Sequence, residues 1–545
     1  MNIKNKYSVI IFLIIAVIFI LHSIYLAAPA EDAFIGFRYA KNIVNGHGLV
    51  WNPGETPVEG YTNFLWILIC SAGMVAGLDI ILYSQFIGII CGILILLYSY
   101  QYSRKILLLN NSTALLPPTM LAVSGPLAVW ASSGMETGLF SLLVLTATYY
   151  TAKYWTSQKL SFIVISNAIC LMSTLTRPEG LGIFLLLFVF QTAAVLLRHE
   201  RTHILQTVLT AFLVYIVPFL IYFLWRINYY GEWLPLTFYA KTGGTFLQWV
   251  RGIKYVFFFL FHFIIPLFPI VILFIWLKYD GIKRMFFSAF NFYKEKSNNF
   301  LVITLLAYLI IGFTLYIIFV GGDYMAMYRF FVPVLPLIYI LFASVYHKLK
   351  HDSKPSAANK QLLFALILLS ISGTFIQSTP LEKYLFKKPA ITHGQYTGVL
   401  TERWNSNRLT LIGKFFNDYK MNEDESLSTD VIGAVSFYSN MKIYGWHGLD
   451  DPVIAKMKVD DMGTGFPGHE KSDLKYTLSK KPTYFMYLRE LTERAGQFPE
   501  YAPEVDSILR KEYEQVSVWL EDKKNDESGY FTFLQRKYTP GRKEL

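Results

Sequence analysis

The chain has 545 residues and a net charge of +11 at pH 7, from 49 Lys and Arg against 38 Asp and Glu. Hydrophobic residues make up 54% of it, aromatic residues 17% and charged residues only 16%, which excludes an ordinary soluble protein. The basic residues gather in short clusters between apolar runs, as in the inner loops of membrane proteins, so the positive charge does not indicate a nucleic-acid partner. Cys70, Cys91 and Cys170 lie inside apolar segments, so neither a disulfide framework nor a metal site is predicted from them.

Apolar runs recur along residues 1–378 and predict about eleven membrane-spanning helices. The first run, Tyr7–Leu26, follows Lys4 and Lys6, which places the N-terminus in the cytoplasm. The run 64–78 is short and contains glycine, so we expect it to lie on the outer face or dip into it. The other predicted spans are 80–100, 114–130, 139–154, 160–175, 181–197, 205–225, 255–277, 301–320, 330–346 and 362–376.

This register puts the basic loops 198–201, 278–296 and 348–360 inside and the C-terminus outside. After Ser378 the composition becomes polar, and residues 379–545 are predicted to form an extracytoplasmic α/β domain. Alternation over 428–446 predicts a strand, a turn and a second strand, and 484–487 predicts another strand. The expected architecture is therefore a polytopic α-helical membrane domain, 1–378, followed by a soluble domain.

The first outer loop, residues 27–63, opens with two adjacent carboxylates, Glu31 and Asp32, shortly after Pro29. Apolar residues then recur at helical spacing, which predicts a short amphipathic helix on the membrane surface with Arg38 and Lys41 on its polar side. A helix N-terminus favours negative charge, so an acid placed there can stay ionised and act as a base. The alternative is that the two carboxylates only cap this helix.

The stretch EDAFIGFRYAKNIVNGHGLVWNPGETPVEGYTNFLW, residues 31–66, resembles the first extracytoplasmic loop of membrane glycosyltransferases of the GT-C superfamily. It is most similar to the bacterial group that includes the mycobacterial terminal arabinofuranosyltransferases. The segments SGMET, TRPEG and GGDYMAMYRFFVP show the same resemblance. The resemblance implies a polyprenyl-phosphate sugar donor and an acidic catalytic base in this loop. We expect the base at Asp32, with Glu31 as the second candidate.

Several polar motifs fall on the outer side in the predicted register, each of which could instead be a polar helix end. Cations among them are candidates for binding the donor phosphate: Arg177, Lys241, Arg329 and Arg38. Polar and aromatic residues of the outer loops and the C-terminal domain are candidates for binding substrate: Glu59, Tyr61, Asn63, Glu136, Glu179, Asp323, Tyr324, His447 and His469.

The segment 463–468 matches G-x-G-x-x-G formally, but Pro467 would interrupt the helix that such a motif needs, so nucleotide binding is not predicted. The predicted function is inverting transfer of a sugar, for example a pentose such as arabinofuranose, from a polyprenyl-phosphate donor to a glycan or glycolipid acceptor. The expected location is the outer face of the cytoplasmic membrane. No metal or other cofactor is expected to be required, although a divalent cation could assist. The alternatives are a lipid-linked glycan polymerase or ligase and a non-catalytic carrier or flippase of lipid-linked sugar.

Overall fold

The computed structural model describes residues 3–197, 201–269, 298–352, 357–376, 378–380, 395–460, 462–523, 525 and 527–537. The chain forms two compact units, each assembled from separate stretches of sequence. The helical unit comprises Met1–Ala27, Ser84–Trp225 and Trp249–Val399. The mixed unit comprises Ala28–Tyr83, Arg226–Gln248 and Leu400–Leu545, so the first loop belongs to the same unit as the C-terminal region.

Long apolar stretches form the helices that lie wholly or mainly in the helical unit. Their bounds are Ile3–Leu26, Ile80–Gln101, Asn111–Ala114, Leu116–Ala122, Gly125–Ala131, Thr137–Ser157, Leu160–Thr176, Glu179–Leu197, Arg201–Thr210, Val217–Tyr230, Phe246–Phe259, Asn298–Val320, Leu335–Asp352 and Ala357–Ile376. Short π-helical turns at Tyr102–Ile106 and Ala211–Ile216 extend or join neighbouring helices.

Within the described ranges, five helices are long and apolar enough to cross a membrane. They are Tyr7–Leu26, Ile80–Ile106, Glu179–Leu196, His203–Tyr230 and Asn299–Val320. A sixth candidate is the pair Asn111–Ala122 and Gly125–Ala131, bent by 61°. Pro126 explains this break, since a proline lacks the amide proton that would continue the helix. The predicted count of about eleven spans is not established by these helices and stays a prediction.

Several predicted segments lie partly or wholly outside the described residues. The predicted span 255–277 is described only as far as residue 269, and the basic loop 278–296 lies entirely outside. Parts of the basic loops 198–201 and 348–360 are also outside. By contrast, the run predicted not to cross forms the 12-residue helix Phe64–Val75, which is too short to span a bilayer.

The mixed unit contains a five-stranded sheet with strand order β2-β1-β3-β5-β4. Its strands are β1 (Ser426–Thr429), β2 (Lys442–Gly445), β3 (Tyr484–Met486), β4 (Tyr513–Asp522) and β5 (Glu527–Arg536). The strands β2, β1 and β3 are parallel, whereas β5 is antiparallel to both β3 and β4. The helices of this unit are Ala33–Val44, Phe64–Val75, Leu236–Lys241, Gln395–Tyr419 in its larger part, Ala434–Ser439, Pro452–Ala455, Leu474–Ser479 and Pro503–Glu512.

Two strands were predicted over 428–446 with a turn between them, and the predicted turn is wrong. Strands β1 and β2 run parallel and are joined through the helix Ala434–Ser439. A tight turn can join only antiparallel strands, so a parallel pair needs a longer crossover. Strand β3 lies where a strand was predicted, at Tyr484–Met486.

The sheet packs against the helix Pro503–Glu512, and side chains from the strands and from this helix together form an apolar core. The ring of Trp446 stacks on Phe485 at 4.9 Å, and Leu509 and Tyr513 are buried beside them. The indole N–H of Trp446 donates to the hydroxyl of Ser428 at 2.8 Å, so its polar atom is satisfied inside the core. This packing fixes the segments that follow β1 and β2, which carry several of the candidate site residues.

Candidate functional site

The carboxylates of the first loop stand at the start of a buried helix. Asp32 is the N-cap residue of the helix Ala33–Val44, hereafter the loop helix, which lies where the sequence predicts a helix. Its first eight residues are buried, and Phe34 and Phe37 contact the ring of Phe437 at 5.8 and 6.2 Å between centroids. The prediction that Arg38 lies on an exposed polar side of this helix is therefore wrong, because Arg38 is buried. The location of the helix on the membrane surface stays a prediction.

Arg38 holds the loop helix to the segment between β1 and β2. Its guanidinium donates to the carbonyl oxygens of Trp51 (2.9 Å), Ser436 (2.6 Å) and Met441 (2.8 Å), and to Oδ1 of Asn52 (2.9 Å). The guanidinium also lies 4.6 Å from the centre of the Trp51 ring. Burial lowers the pKa of Arg38 to about 10, which still leaves it charged at neutral pH. Since these donors are occupied within the protein, we assign Arg38 to holding the loop.

Glu31 is engaged with the backbone at the start of the helix Ala434–Ser439. Its Oε1 accepts the amide protons of Gly433 at 2.5 Å and Ala434 at 3.2 Å. Its own amide donates to Oε1 of Glu402 at 2.8 Å. Burial raises the pKa of Glu31 to about 8, and the negative charges of Asp32 and Glu402 add to that rise. At neutral pH the carboxyl of Glu31 is therefore mostly protonated and cannot readily take up a further proton.

The charge of Asp32 affects the pKa of His469, which forms a pair with His447 in the same unit. Burial lowers the pKa of His469, and the charge of Lys241 lowers it further, while the negative charges of Asp32 and Asp430 oppose this effect. The sequence places these residues far apart, at positions 32, 241, 430 and 469. In the folded mixed unit the charges of Asp32 and Lys241 thus both act on His469, and the sequence indicated all three as site candidates.

The second ring of the pair belongs to His447. Its centroid lies 4.7 Å from that of His469, in an edge-to-face arrangement. Burial lowers the pKa of His447 to about 4, and the neighbouring His469 adds to this. Both rings are consequently neutral near pH 7. Nδ1 of His447 lies 3.1 Å from the carbonyl oxygen of Lys471, so Nδ1 carries the proton and Nε2 is left as an acceptor.

Lys241 ends the short helix Leu236–Lys241 and passes beside the glycine-rich turn 463–468. A Cβ on Gly468 would lie only 3.2 Å from Cε of Lys241, and this glycine has φ +81°. Both facts favour glycine at this position. The turn itself is organised by Glu470, whose Oε1 accepts the amide protons of Gly463 (2.5 Å) and Gly465 (3.0 Å). No helix begins within 463–468. The sequence analysis expected Pro467 to interrupt a helix at this place.

Three candidates at the end of the first loop have structural contacts. Glu59 forms a buried ion pair with Arg226, whose Nε and Nη2 both lie 2.7 Å from Oε2 of Glu59. The hydroxyl of Tyr61 contacts that of Tyr230 at 3.0 Å. Asn63 is the N-cap residue of the helix Phe64–Val75. Together these contacts join the end of the first loop to the segment that follows residue 225.

In the helical unit, Arg177 is paired with two carboxylates. Its Nη1 lies 2.7 Å from Oε1 of Glu136, and its Nη2 lies 2.7 Å from Oε1 of Glu179. The guanidinium also lies 5.7 Å from the centre of the Phe330 ring. The structure thus brings together the motifs SGMET and TRPEG, which are distant in sequence. A phosphate that binds Arg177 would have to displace these carboxylates or share the guanidinium with them.

Arg329 has a similar environment in the same unit. Its Nε lies 2.7 Å from Oδ2 of Asp323, and the amide of Tyr324 donates to Oδ1 of the same aspartate at 2.9 Å. The guanidinium also lies 5.4 Å from the centre of the Phe330 ring. The two residues before Arg329, Met327 and Tyr328, have φ of +58° and +45°. Such a conformation costs about 1 to 3 kcal/mol for each residue, and strain of this kind often marks a functional segment.

The sequence analysis missed several residues that complete these arrangements: Arg226, Glu402, Asp430, Arg489 and His262. A signal existed for Arg226, because it is a cation inside an otherwise apolar helix. The same signal existed for His262, which also falls in an apolar run. Its Nδ1 lies 2.6 Å from the hydroxyl oxygen of Tyr328. Glu402, Asp430 and Arg489 lie in a polar region where single charged residues carry no such signal. Asp430 and Arg489 are paired at 3.3 Å.

The described residues contain no group of three or more His, Cys, Asp and Glu side chains that could hold a metal ion. Arg177 and Arg329 are bound to carboxylates, whereas the charge of Lys241 acts on His469. The residues best suited to catalysis are therefore those of the mixed unit. They are Asp32, the two neutral histidines and Lys241.

The fold defines a class of protein. The long apolar helices identify a multi-pass helical membrane protein, and two solved structures have a similar fold. Both are crystal structures of ArnT from Cupriavidus metallidurans. The apo form has a TM-score of 0.53 at 12% identity, covering 97% of this chain and 98% of ArnT. The form bound to undecaprenyl phosphate has a TM-score of 0.50 at 11% identity, covering 80% of this chain and 85% of ArnT.

Sequence comparison identifies one region of the chain. Residues 395–538 match the family model described as a domain of unknown function, DUF8728. No curated protein matches the chain. At this low identity the similarity to ArnT establishes the fold alone. The closer resemblance to arabinofuranosyltransferases stays a prediction.

Proposed function

We propose that this protein transfers a sugar from a polyprenyl-phosphate donor to a glycan or glycolipid acceptor. The observation that carries the proposal is the position of Asp32 at the start of a buried helix, where its charge and that of Lys241 both act on His469, in a fold similar to that of ArnT. One ArnT structure contains undecaprenyl phosphate, and that ligand suggests the class of donor. The long apolar helices of this chain suit a donor with a lipid tail.

In the proposed reaction Asp32 acts as general base. Its carboxylate takes the proton from an acceptor hydroxyl while the hydroxyl oxygen attacks the anomeric carbon of the donor sugar. The new carbon–oxygen bond forms as the bond from the anomeric carbon to the phosphate oxygen breaks. The electron pair of the broken bond leaves with the polyprenyl phosphate, and the anomeric configuration is inverted. No nucleotide takes part in this step.

Asp32 is preferred to Glu31 as the base because of what Glu31 already does. Glu31 accepts the amide protons of Gly433 and Ala434, and its raised pKa keeps it largely protonated at neutral pH. A protonated carboxyl with its oxygen occupied by backbone donors is a poor base. Glu31 therefore serves as the group that positions the turn before the loop helix.

The histidines are proposed to contact the acceptor. Neutral imidazoles can accept or donate hydrogen bonds to sugar hydroxyls without changing their charge. Nε2 of His447 is an acceptor in the tautomer that the Lys471 carbonyl selects. Since both pKa values are lowered, these rings are not proposed as the base.

The developing charge on the phosphate requires cations. Lys241 is proposed as one of them, since it lies in the neighbourhood of His469. Arg177 and Arg329 remain proposed phosphate ligands, each in competition with its own carboxylate partners. The remaining substrate-binding candidates of the helical unit, Glu136, Glu179, Asp323 and Tyr324, would then act by holding these arginines.

The predicted register places the site on the outer face of the cytoplasmic membrane. The proposal includes that location, and it leaves the donor sugar to be identified by experiment, with a pentose as the first choice. The purified full chain is incubated with polyprenyl-phosphate pentoses and hexoses, and release of free polyprenyl phosphate is measured in the presence of candidate acceptors. Release that depends on the acceptor and is absent in the Asp32→Asn variant supports the proposal.

The two alternatives give different results in the same experiment. A glycan polymerase or ligase would leave the monophosphate donors intact and would consume a pyrophosphate-linked donor added to the same panel. A carrier or flippase would bind or move the donor in vesicles but release no polyprenyl phosphate. Either outcome would overturn the proposed reaction.

A further inference from the structure

A polar cleft with a volume of about 690 Å³ lies in the mixed unit, away from the glycine-rich turn and the histidine pair. The C-terminal half of the loop helix and the loop that follows it, with His47, Pro53 and Gly54, form part of the walls, and the chain from residue 417 to β2 forms the rest. Its principal side chains are Lys41, Asn45, Asn417, Lys420, Asn440 and Lys442. The volume is within the range of about 300 to 1,000 Å³ that small-molecule sites occupy.

The cleft carries a concentration of positive charge. Lys420 pairs with Glu423 at 2.8 Å, and Lys442 lies 3.5 Å from Asp424. Both carboxylates also line the cleft, but 85% and 97% of their side chains are exposed, whereas the side chain of Lys420 is only 9% exposed. Water screens the contribution of exposed carboxylates strongly. Pairing with them therefore neutralises the cleft only in part.

Lys41 adds a cation that has no carboxylate among its hydrogen-bond partners in the described structure. Its Nζ donates to the carbonyl oxygen of Phe437 at 3.2 Å and to Oδ1 of Asn440. Burial lowers the pKa of Lys41, and the charges of Arg38 and Lys420 lower it further. The cations of this cleft thus repel one another, and a bound anion would relieve that repulsion.

The remaining walls suit a sugar. The amide of Asn440 donates to Oδ1 of Asn417 at 2.8 Å, and Asn42 and Asn45 also border the cleft. Carboxamides both donate and accept hydrogen bonds, as polyhydroxylated ligands require. The ring of Phe437 provides an apolar surface beneath Lys41, whose Nζ lies 4.9 Å from the ring centre.

We propose that this cleft binds an oxyanion substituent, a phosphate or a carboxylate, on the acceptor glycan. The role as an acceptor site rests on the proposed function, whereas anion binding itself does not. The loop helix carries both Asp32 and Lys41, and nine residues of helix separate them by about 14 Å. An extended acceptor held at the cleft by its anionic group could therefore present a different sugar residue to Asp32.

The experiment measures binding of small probes to the purified full chain in detergent, without any donor. Glucose 6-phosphate and glucuronic acid represent the two sources of the oxyanion, and glucose is the neutral probe. We expect at least one charged probe to bind about tenfold or more tightly than glucose. Raising the salt concentration should weaken that binding, because it screens the cations.

The variants Lys420→Gln and Lys442→Gln should each weaken binding of the charged probe by about tenfold, since each removes one charge-assisted contact. Lys475→Gln is the matched control, because Lys475 pairs with Glu504 on the surface outside the cleft. Thermal unfolding shows whether each variant is folded. Lys442 is 31% exposed, so its variant tests the site even if replacing Lys420 prevents folding.

Equal affinity for glucose and both charged probes would overturn the proposal, as would an equal loss of affinity in the Lys475 variant. Binding only to vesicles containing anionic lipid, with no binding of either soluble probe, would identify a membrane contact and overturn it too. Failure of sugar transfer in a protein that still binds the charged probe would count against the proposed function and leave the anion site standing.

Discussion

The carboxyl oxygen Oε1 of Glu31 accepts the amide proton of Gly433 at 2.5 Å, across 402 residues of sequence. A Cβ on Gly433 would lie 2.1 Å from the carbonyl oxygen of Glu31, so no larger residue fits there without displacement. The residue that precedes the proposed base is thereby held by the C-terminal region. This relationship distinguishes the adjacent acids, since Glu31 is fixed in a structural contact and Asp32 is the one that we propose as the base.

The first prediction separates the roles of these two acids. Asp32→Asn should reduce sugar transfer by about two to four powers of ten, the usual contribution of a general base, with donor binding nearly unchanged. Asn keeps the size of the side chain, and the side chain of Asp32 makes no capping hydrogen bond to the loop helix that the change could remove. Glu31→Gln, which keeps an acceptor oxygen for Gly433, should retain most of the activity.

Turnover and donor affinity are measured for both variants with the donor that the panel identifies. If the effects are exchanged, Glu31 is the base. Normal transfer in both single variants and in the double variant would remove this loop from the mechanism.

The second prediction concerns pH and stability. The pKa of Glu31 is raised to about 8 in the folded protein, whereas an unfolded chain has a Glu pKa of about 4.3. The folded state therefore binds more protons between these values, and Glu31 makes the protein less stable as the pH rises from about 4.5 to about 8. Glu31→Gln removes this titration, so its stability should depend less on pH across that window.

Thermal unfolding midpoints of the wild type and the variant between pH 5 and pH 8.5 test this. The variant should gain stability relative to the wild type as the pH rises. Parallel curves would show that Glu31 has no raised pKa in the folded state.

The third prediction concerns the arginines. If Arg177 and Arg329 bind the donor phosphate, each replacement by Ala should weaken donor binding by about 1.5 to 3 kcal/mol. Lys should restore it only in part, because it lacks the planar fork of the guanidinium. Arg177→Ala also leaves two buried carboxylates without their arginine, and Arg329→Ala leaves one, so each variant should be less stable.

The double variant Arg329→Ala with Asp323→Ala separates these two effects. Removing both partners should recover part of the lost stability but none of the donor affinity. Donor affinity equal to that of the wild type in Arg177→Ala and Arg329→Ala would mean that both arginines serve only to hold their helices.

The fourth prediction concerns the ion pair between Glu59 and Arg226. Glu59→Gln leaves the guanidinium of Arg226 buried without its carboxylate, which should cost about 3 to 5 kcal/mol. Replacing the pair together, by Glu59→Gln and Arg226→Met, should cost less than the sum of the single changes, because no buried charge is left.

Chemical or thermal unfolding of the purified protein measures these differences. Glu504→Gln, on the exposed pair with Lys475, is the control and should leave stability unchanged. If the single and double variants of the buried pair show additive losses, Glu59 and Arg226 do not act as a pair.

The sequence by itself determined the class of this protein. Long apolar runs have few ways to fold except as helices that satisfy their own backbone hydrogen bonds, so a multi-pass helical protein could be predicted from composition and periodicity. The loop helix, the non-spanning helix Phe64–Val75 and the strand Tyr484–Met486 were also predicted, because each depends on local pattern.

The tertiary structure decided what these segments do. The loop helix has the pattern of a surface helix, but Arg38 is buried since carbonyl groups from positions near 440 satisfy it. The mixed unit unites residues 28–83 with 400–545, so the partners of Glu31 and the neighbours of Asp32 come from sequence hundreds of residues away. Long-range packing of this kind leaves no local periodicity, and it was the fold that assigned Glu31 to structure and left Asp32 as the proposed base.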